Sequence, residues 1–480
     1  MTKLIDRITE VAELRALAKR RKPALALLYG RRRVGKTFLL DNAWPKSQRV
    51  FYFLAADTTP DQNRIELLQE LSQWATRPLD PNDYRSWRNV FRLFVDLAES
   101  DSLVVILDEF QYLMGTHDDI VSHLVAIWDR ELKNRPLTLV LCGSQVATME
   151  RLERGDGPLY GRPNWVGRLQ PFDYRDAARM MPRRSPRDAA TLFGILGGTP
   201  RYLATVEPRD TIAARTTTSM LSPSGEVHVQ LANLIEQEKG IRDTAEYRAV
   251  LTAIASGRTL TDDIAAGAGL GDRLHVVQRA LQILEDLCLV ERERNFGASE
   301  RTPWRTRIAD NAVRFWHRFV LPNRSRLERG KANDVWRTTV APHLDTYMGK
   351  TFEAMARQAY TRYHEEWKLP ADRAWSRWEG QDRNRRSIEL DIVASLNDDR
   401  MLVGEIKWSS RPVGPEVHAQ LLRNVEDLAH SGHKWAHESL RTDASLYIYY
   451  SAAGFTGAFE SLARQDSRIH LISLKEMYGR

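Results

Sequence analysis

Cysteine is nearly absent: the 480-residue chain carries only Cys142 and Cys288. Two thiols cannot build a disulfide framework, nor a zinc site by themselves. Both lie in apolar runs, LTLVLCG and LEDLCLVE, where small core residues are expected. No apolar stretch reaches the roughly 18–20 residues that a membrane helix needs. The opening MTKLIDRITEVAEL lacks the apolar segment and small-residue cleavage site of a secretory signal, so a cytoplasmic protein is expected. Internal repeats, low-complexity tracts and long disordered tails are also missing.

What is present is an ordinary globular composition, 42% hydrophobic and 28% charged, in a chain too long for one core, so two to four domains are expected. The net charge of +7 suits an anionic partner such as DNA, but many basic proteins bind none.

The first third alternates apolar strands with helical spacing. ALALLY (Ala24–Tyr29), RVFYFLA (Arg49–Ala55), LVVILDEF (Leu103–Phe110) and LTLVLCGS (Leu137–Ser144) read as strands, with helices over Ile65–Ala75 and Trp87–Ser100. Continuous apolar strands separated by helices predict a parallel sheet covered on both faces. Strand signals vanish between about Asp173 and Tyr247. Three helices and a hairpin around a glycine turn then fill Tyr247–Arg307, the layout of a winged helix. From about Asp345 the chain returns to α/β: helix 346–364, strands 387–395 and 400–408, helix 415–429, strand 444–451, helix 455–464 and strand 469–474.

Between the first strand and its helix lies GRRRVGKT: Gly30, Arg31, Arg32, Arg33, Val34, Gly35, Lys36 and Thr37, followed by Phe38. Glycines let backbone N–H groups wrap phosphates, Lys36 reaches the β- and γ-phosphates, and the Thr37 hydroxyl holds Mg²⁺. By chance the pattern arises in roughly 1–2% of chains this long, and here it also sits between strand and helix as required. The strand Leu103–Leu107 ends in Asp108 and Glu109, an acid for Mg²⁺ and an acid to polarise the attacking water. Ser144, at the next strand end, is a candidate γ-phosphate sensor or a simple cap. Arg162 and Arg168 are candidates for an arginine finger acting on a neighbouring subunit of a homo-oligomer, or plain surface charges.

The order IDRITEVAEL, YGRRRVGKT, VVILDEF, LCGS, GPLYGRPNWVGRLQPF and GGTPRYL resembles the archaeal and bacterial AAA-type ATPases related to the origin-recognition and STAND clades. The resemblance implies that Arg7 and Glu10 lie near the adenine, and that Pro200 and Arg201 lie where a helical lid meets the nucleotide.

In the winged-helix segment, Asp272–Leu287 offers Arg273, His275, Gln278 and Arg279 outward, with Val276, Val277, Ala280, Leu281, Leu284 and Leu287 inward. The hairpin carries Arg292, Arg294, Arg301, Arg305 and Arg307, interleaved with Glu291, Glu293 and Glu300. DNA contact and domain coupling both remain open.

The last block contains Asp391 and then Glu405-x-Lys407 on the following strand, with Glu389 on the face of Asp391. Two carboxylates on adjacent strands can share one divalent metal, while a lysine steadies hydroxide or the scissile phosphate. As bare text the pattern is common. With Glu353 on the helix upstream and Gln420 on the helix downstream, it resembles the PD-(D/E)xK nuclease superfamily. That resemblance implies metal (Mg²⁺, with Mn²⁺ as an alternative) at Asp391 and Glu405, catalysis by Lys407, and support from Glu353 and Gln420. Trp375, Trp378 and Trp408 could stack on bases or pack in the core.

The combined expectation is an α/β protein: a P-loop AAA-type core (1–172), a helical lid (173–246), a winged helix (247–310), a connector (311–344) and a restriction-endonuclease-like α/β domain (345–480). ATP with Mg²⁺ would control a metal-dependent site that cuts DNA, in defence or the handling of mobile elements. The alternative is a STAND-like switch or DNA-remodelling ATPase whose tail binds without cutting.

Overall fold

A computed structural model describes residues 4–20, 22–98, 102–115, 119–132, 135–181, 183–236 and 243–479. The chain divides into two compact units, Met1–Pro171 and Phe172–Arg480.

In the first unit β1 (Ala24–Tyr29), β2 (Arg49–Leu54), β3 (Leu103–Asp108), β4 (Leu137–Gly143) and β5 (Trp165–Arg168) form one parallel sheet in the order β2-β3-β4-β1-β5. Alternate residues serve two cores. Leu25, Leu27, Phe51, Phe53, Leu103 and Val105 face one, and Ala26, Leu28, Val104, Ile106, Val140 and Cys142 the other. This double burial is why the strands read as unbroken apolar runs. The fifth strand, WVGR, is four residues long with two of them exposed, and such a strand carries no periodic signal. The helix Trp87–Leu97 ends before the expected Ser100; residues 99–100 lie outside the described residues.

The second unit opens with helices, including Tyr174–Met180, Pro186–Leu196 and Glu226–Ala232. The helices Thr244–Ala255, Thr261–Gly267 and Leu274–Asp286 follow, then a hairpin of β6 (Val290–Glu293) and β7 (Arg305–Ile308), which an isolated bridge from Leu260 to Arg305 extends. The helix Leu274–Asp286 buries Val277, Ala280, Leu281 and Leu284, and leaves Arg273, His275, Gln278 and Arg279 exposed.

The final sheet comprises β8 (Asp372–Gln381), β9 (Ser387–Leu396), β10 (Met401–Lys407), β11 (Ser445–Ser451) and β12 (Ile469–Ser473), in the order β12-β11-β10-β9-β8. β10, β11 and β12 run parallel, while β9 and β8 are antiparallel additions. The sequence gives no sign of β8: DRAWSRWEGQ is charged and mostly half-buried, as an edge strand can be. Part of its cover is the hairpin itself. The Phe296 amide donates to Arg377 O over 3.0 Å, the Asn295 side chain donates to Glu379 O over 2.7 Å, and the Phe296 ring meets Trp435 edge-on at 6.1 Å.

This docking also engages the arginines of the hairpin. Arg305 pairs with Glu379 at 3.6 Å, Arg307 with Glu291 at 2.9 Å, and Arg292 with Glu285, while Arg294 lies 4.1 Å over the Trp304 ring. The interleaved glutamates neutralise the arginines locally, so charge counts overstate what a phosphate backbone would meet. Cys288 also departs from expectation. It sits half-buried in a turn at φ 55° rather than in the core, whereas Cys142 is fully buried.

At Gly404, one residue before Glu405, the neighbouring strand leaves no room for a side chain: a Cβ there would stand 2.1 Å from Ile448 O. Gly404→Ala is expected to force the strands apart at a cost of about 2–3 kcal/mol, lowering the thermal midpoint by roughly 5 °C in circular dichroism. An unchanged midpoint would show that the strand pair yields freely.

Candidate functional site

In the first unit the loop after β1 is wound by backbone that side chains rarely adopt. Arg33 has φ 70° and Gly35 φ 97°, and a Cβ at Gly30 would lie 2.5 Å from Leu169 O. Val34 anchors the loop in the core, while Phe38 stays 41% exposed on the first turn of the helix Lys36–Ala43. The Lys36 side chain is buried, with Nζ donating to Gly30 O (2.8 Å) and Arg31 O (3.2 Å). An ammonium held inside a ring of backbone is placed to meet anionic oxygens. Arg32 donates to the Tyr112 hydroxyl at 2.9 Å.

The strand ends supply the acids. Thr37 Oγ1 donates to Asp108 Oδ2 at 3.3 Å, so the hydroxyl and the carboxylate stand together as shared ligation of one cation requires. Tyr52, from β2, also donates to Asp108, and burial followed by this bond raises its pKa. The sequence carries no signal for Tyr52, because a tyrosine inside an apolar strand looks like core. Glu109 adopts φ 52°, a left-handed conformation uncommon for a residue with a side chain. Ser144 donates to Glu109 Oε2 at 2.6 Å and Gln111 donates to the same oxygen. Ser144 is buried and engaged with the glutamate rather than standing alone at the strand end.

The remaining residues named from sequence in this unit have protein partners. Arg162 makes a two-pronged pair with Asp129 (3.1 and 2.8 Å), and Arg168 pairs with Glu150 at 2.7 Å. Arg7, at φ 64°, pairs with Glu10 at 3.3 Å and donates to Gln170 O, which pins the entry to the helix Ile8–Lys19.

Within the second unit, Pro200 occupies the first turn of the short helix Pro200–Leu203, and Arg201 pairs with Glu226 at 2.7 Å, its side chain 62% exposed. The carboxylates and lysine of β9 and β10 converge. Asp391 Oδ2 accepts the Ile406 amide at 2.9 Å, Lys407 Nζ lies 3.8 Å from the same oxygen, and Lys407 donates to Glu405. The register explains the aim of Asp391. Trp378 opposes Leu390 but Ser376 opposes Val393, so β9 carries one extra residue at Asp391–Ile392. A bulge of this kind turns a side chain out of the strict alternation.

Burial, then the charge of Asp391, pushes the Glu405 carboxyl up to about 7. Burial opposes the Lys407 ammonium, but Glu405 and Asp391 outweigh it and its pKa is raised. Glu353, on the helix Leu344–Tyr363, is likewise raised, by burial more than Lys350 at 2.9 Å lowers it, with Asp391 adding to the rise. Glu389 turns to Lys350 (3.4 Å) and Arg377 rather than to the group around Asp391. Gln420 is exposed and bonds Asn424 (2.9 Å) and Arg423 (2.8 Å) along its own helix. Trp378 is buried, and the half-buried Trp408 stacks under Arg187 at 4.5 Å and donates to Asp345. Trp375 packs on Tyr360 at 5.1 Å.

Among the described residues, no group of three or more His, Cys, Asp or Glu side chains is arranged to hold a metal ion. Two carboxylates suffice for Mg²⁺, which fills its shell with water and phosphate oxygens, so Asp391 and Glu405 fit such an ion. None of the described helices is long and apolar enough to cross a membrane.

Comparison with known proteins divides the chain. Residues 4–206 match a family described as an ATPase domain predominantly from Archaea, and residues 316–420 match one described as archaeal and bacterial proteins of unknown function. An uncharacterized protein of Methanocaldococcus jannaschii is 24% identical over 419 residues, covering 84% of this chain and 87% of that one. Among solved structures, the Walker-type ATPase of Pyrococcus abyssi is 22% identical at a TM-score of 0.49, spanning 66% of this chain and 96% of that one. The ORC2 protein of Aeropyrum pernix, in ADPNP and ADP complexes, is 16% identical at 0.42, over 68% and 96%. The ORC1 protein of the same organism, in complex with DNA, is 18% identical at 0.35, over 68% and 95%. The match over residues 4–206, which includes Lys36, Thr37, Asp108 and Glu109, supports a nucleotide-binding ATPase.

Proposed function

We propose that this ATPase hydrolyses Mg·ATP at Lys36, Thr37, Asp108 and Glu109, and that its nucleotide state controls a metal-dependent phosphodiesterase site at Asp391, Glu405 and Lys407 acting on DNA. In the first site Lys36 carries the counter-charge for the β- and γ-phosphates, and Thr37 with Asp108 holds Mg²⁺. Glu109 orients the attacking water, and Ser144 with Gln111 holds that glutamate. Arg162 or Arg168 serves as an arginine finger in a homo-oligomer only by leaving its acidic partner. Arg7, Pro200 and Arg201 belong to nucleotide recognition in the same reading.

The observation that carries the second half is the meeting of Asp391, Glu405 and Lys407 around a β-bulge. Asp391 and Glu405 hold the metal, which supplies charge stabilisation and an acidified water. Lys407 Nζ, half-exposed beside both acids, is placed to orient the scissile phosphate, and Glu353 supports the site through its electrostatic interaction with Asp391. Gln420, bonded along its own helix, needs a rotamer change to reach substrate. Its position favours a second reading, in which the domain binds nucleic acid without cutting.

Purified protein with Mg²⁺ or Mn²⁺, with and without ATP, is expected to nick linear, supercoiled or single-stranded DNA. Lys407→Ala should lower that rate by about a hundredfold or more. Nicking that is absent, or equal in the variant, sinks the nuclease reading. ATP hydrolysis stimulated by DNA without nicking would then establish the second.

A further inference from the structure

The helical part of the second unit contains a cavity that none of the chemistry above uses. It measures about 410 Å³ and is lined by Val229, Leu231, Leu251, Val313, Trp316 and Leu327, together with His228 and His317. That volume falls within the range of small-molecule sites, and the lining has their character: mostly apolar with a few polar atoms.

The histidines show what those polar atoms ask for. Thr252 Oγ1 donates its one proton to Arg248 O at 2.8 Å, so at its 3.0 Å contact with His317 Nδ1 it can only accept. His317 Nδ1 therefore carries the proton. Met220 O likewise can only accept, so His228 Nδ1 donates to it at 3.0 Å. Burial, reinforced by the charge of Arg248, holds the His317 imidazole down to about 4, and burial lowers His228 as well. Both rings are thus neutral near pH 7, each with Nε2 as a bare acceptor. Neither Nε2 has a hydrogen-bond partner among the described residues, although His317 is only 5% exposed.

Two further features point the same way. Both imidazoles are tied to π-turns: His317 lies within Trp316–Val320, and His228 bonds Met220 within Thr217–Leu221. Such turns widen a helix and occur often at functional sites. Each charged group at the cavity has a counter-charge beside it, Arg324 with Glu328 at 2.8 Å and Arg248 with Glu236, so the lining favours a neutral ligand over an ionic one.

We propose that this cavity binds a neutral, largely apolar small molecule that donates a hydroxyl or ring N–H hydrogen bond to His317, with His228 beside it in the lining. The Trp316 ring, 4.7 Å from that of His228 and edge-on to it, forms the aromatic wall against which a planar ligand packs.

The test titrates the full chain by calorimetry with indole and 4-methylphenol, and with 1-methylindole and 4-methylanisole, which keep the shape and lose the donor. Saturable one-to-one binding of at least one donor probe is expected, with its methylated partner about tenfold weaker. His317→Phe should remove about that tenfold preference, and Leu251→Trp should fill the cavity and abolish binding. No saturable binding of either donor probe, equal binding of the methylated partners, or an unchanged preference in His317→Phe overturns the proposal. Should the variants fail to fold, ¹⁵N resonances of the wild-type imidazoles decide. An Nε2 shift on saturation with the bound probe supports the assignment, and its absence refutes it.

Discussion

Replacing Lys36 by alanine is expected to lower ATP hydrolysis by at least about two orders of magnitude and to weaken ATP binding as well. Glu109→Gln should lower hydrolysis comparably while binding is retained. The two substitutions differ because the two groups meet different states. Lys36 is a buried ammonium whose present partners are two carbonyls, Gly30 O and Arg31 O. Neutral acceptors compensate a buried charge only in part, and phosphate oxygens would complete the compensation in both ground and transition states. Glu109 touches no phosphate in this reading; its carboxylate, held by Ser144 at 2.6 Å, acts on the water. Glutamine keeps the shape and loses the charge. Phosphate release and the affinity for a fluorescent ATP analogue separate the cases, with circular dichroism to show that Lys36→Ala is folded. Retention of half or more of wild-type hydrolysis by either variant would remove that residue from the mechanism.

How legible these features are depends on the range of the physics behind them. The loop Gly30–Thr37 is readable because its phosphate-wrapping geometry is local: eight consecutive residues contain both the glycines and the groups they position. Strands β1 to β4 are readable because burial on both faces leaves apolar runs of six or seven residues. β8 is not readable, since its stability comes from β9 and from the docked tip around Phe296, both distant in sequence. The same distance hides Tyr52, whose role follows from β2 lying beside β3. Charges are the least legible. The hairpin arginines, interleaved with glutamates, leave DNA contact and domain coupling both open in the sequence, and in the fold Glu291, Glu293 and Glu379 take up Arg305 and Arg307. Spacing cannot reveal such pairing across strands. Asp391 is an intermediate case: the residue types are legible, but the bulge that aims the side chain appears only once β8 is in place.

The largest pH effect is expected at Glu405. Its carboxyl titrates near 7, because burial and the neighbouring Asp391 disfavour the second negative charge. A divalent cation must displace that proton, so apparent Mn²⁺ affinity is expected to rise about tenfold per pH unit up to the region of 7 and to level off above it. Between pH 5 and 7 the gain is about fiftyfold. The sign follows from the raised value. Below 7 the folded carboxyl is protonated and competes with the metal, whereas an ordinary glutamate would be ionised throughout this range and show almost no slope. Glu405→Gln removes the competing proton together with the ligand, so the variant should bind Mn²⁺ weakly and with little dependence on pH. Calorimetry or electron paramagnetic resonance of Mn²⁺ reads this without any assay of cutting. A wild-type affinity that is flat from pH 5 to 7 would show that the metal does not contact Glu405. A pH slope that survives in Glu405→Gln would transfer the proton to another group, with Glu353, the other raised carboxyl beside Asp391, as the first to examine.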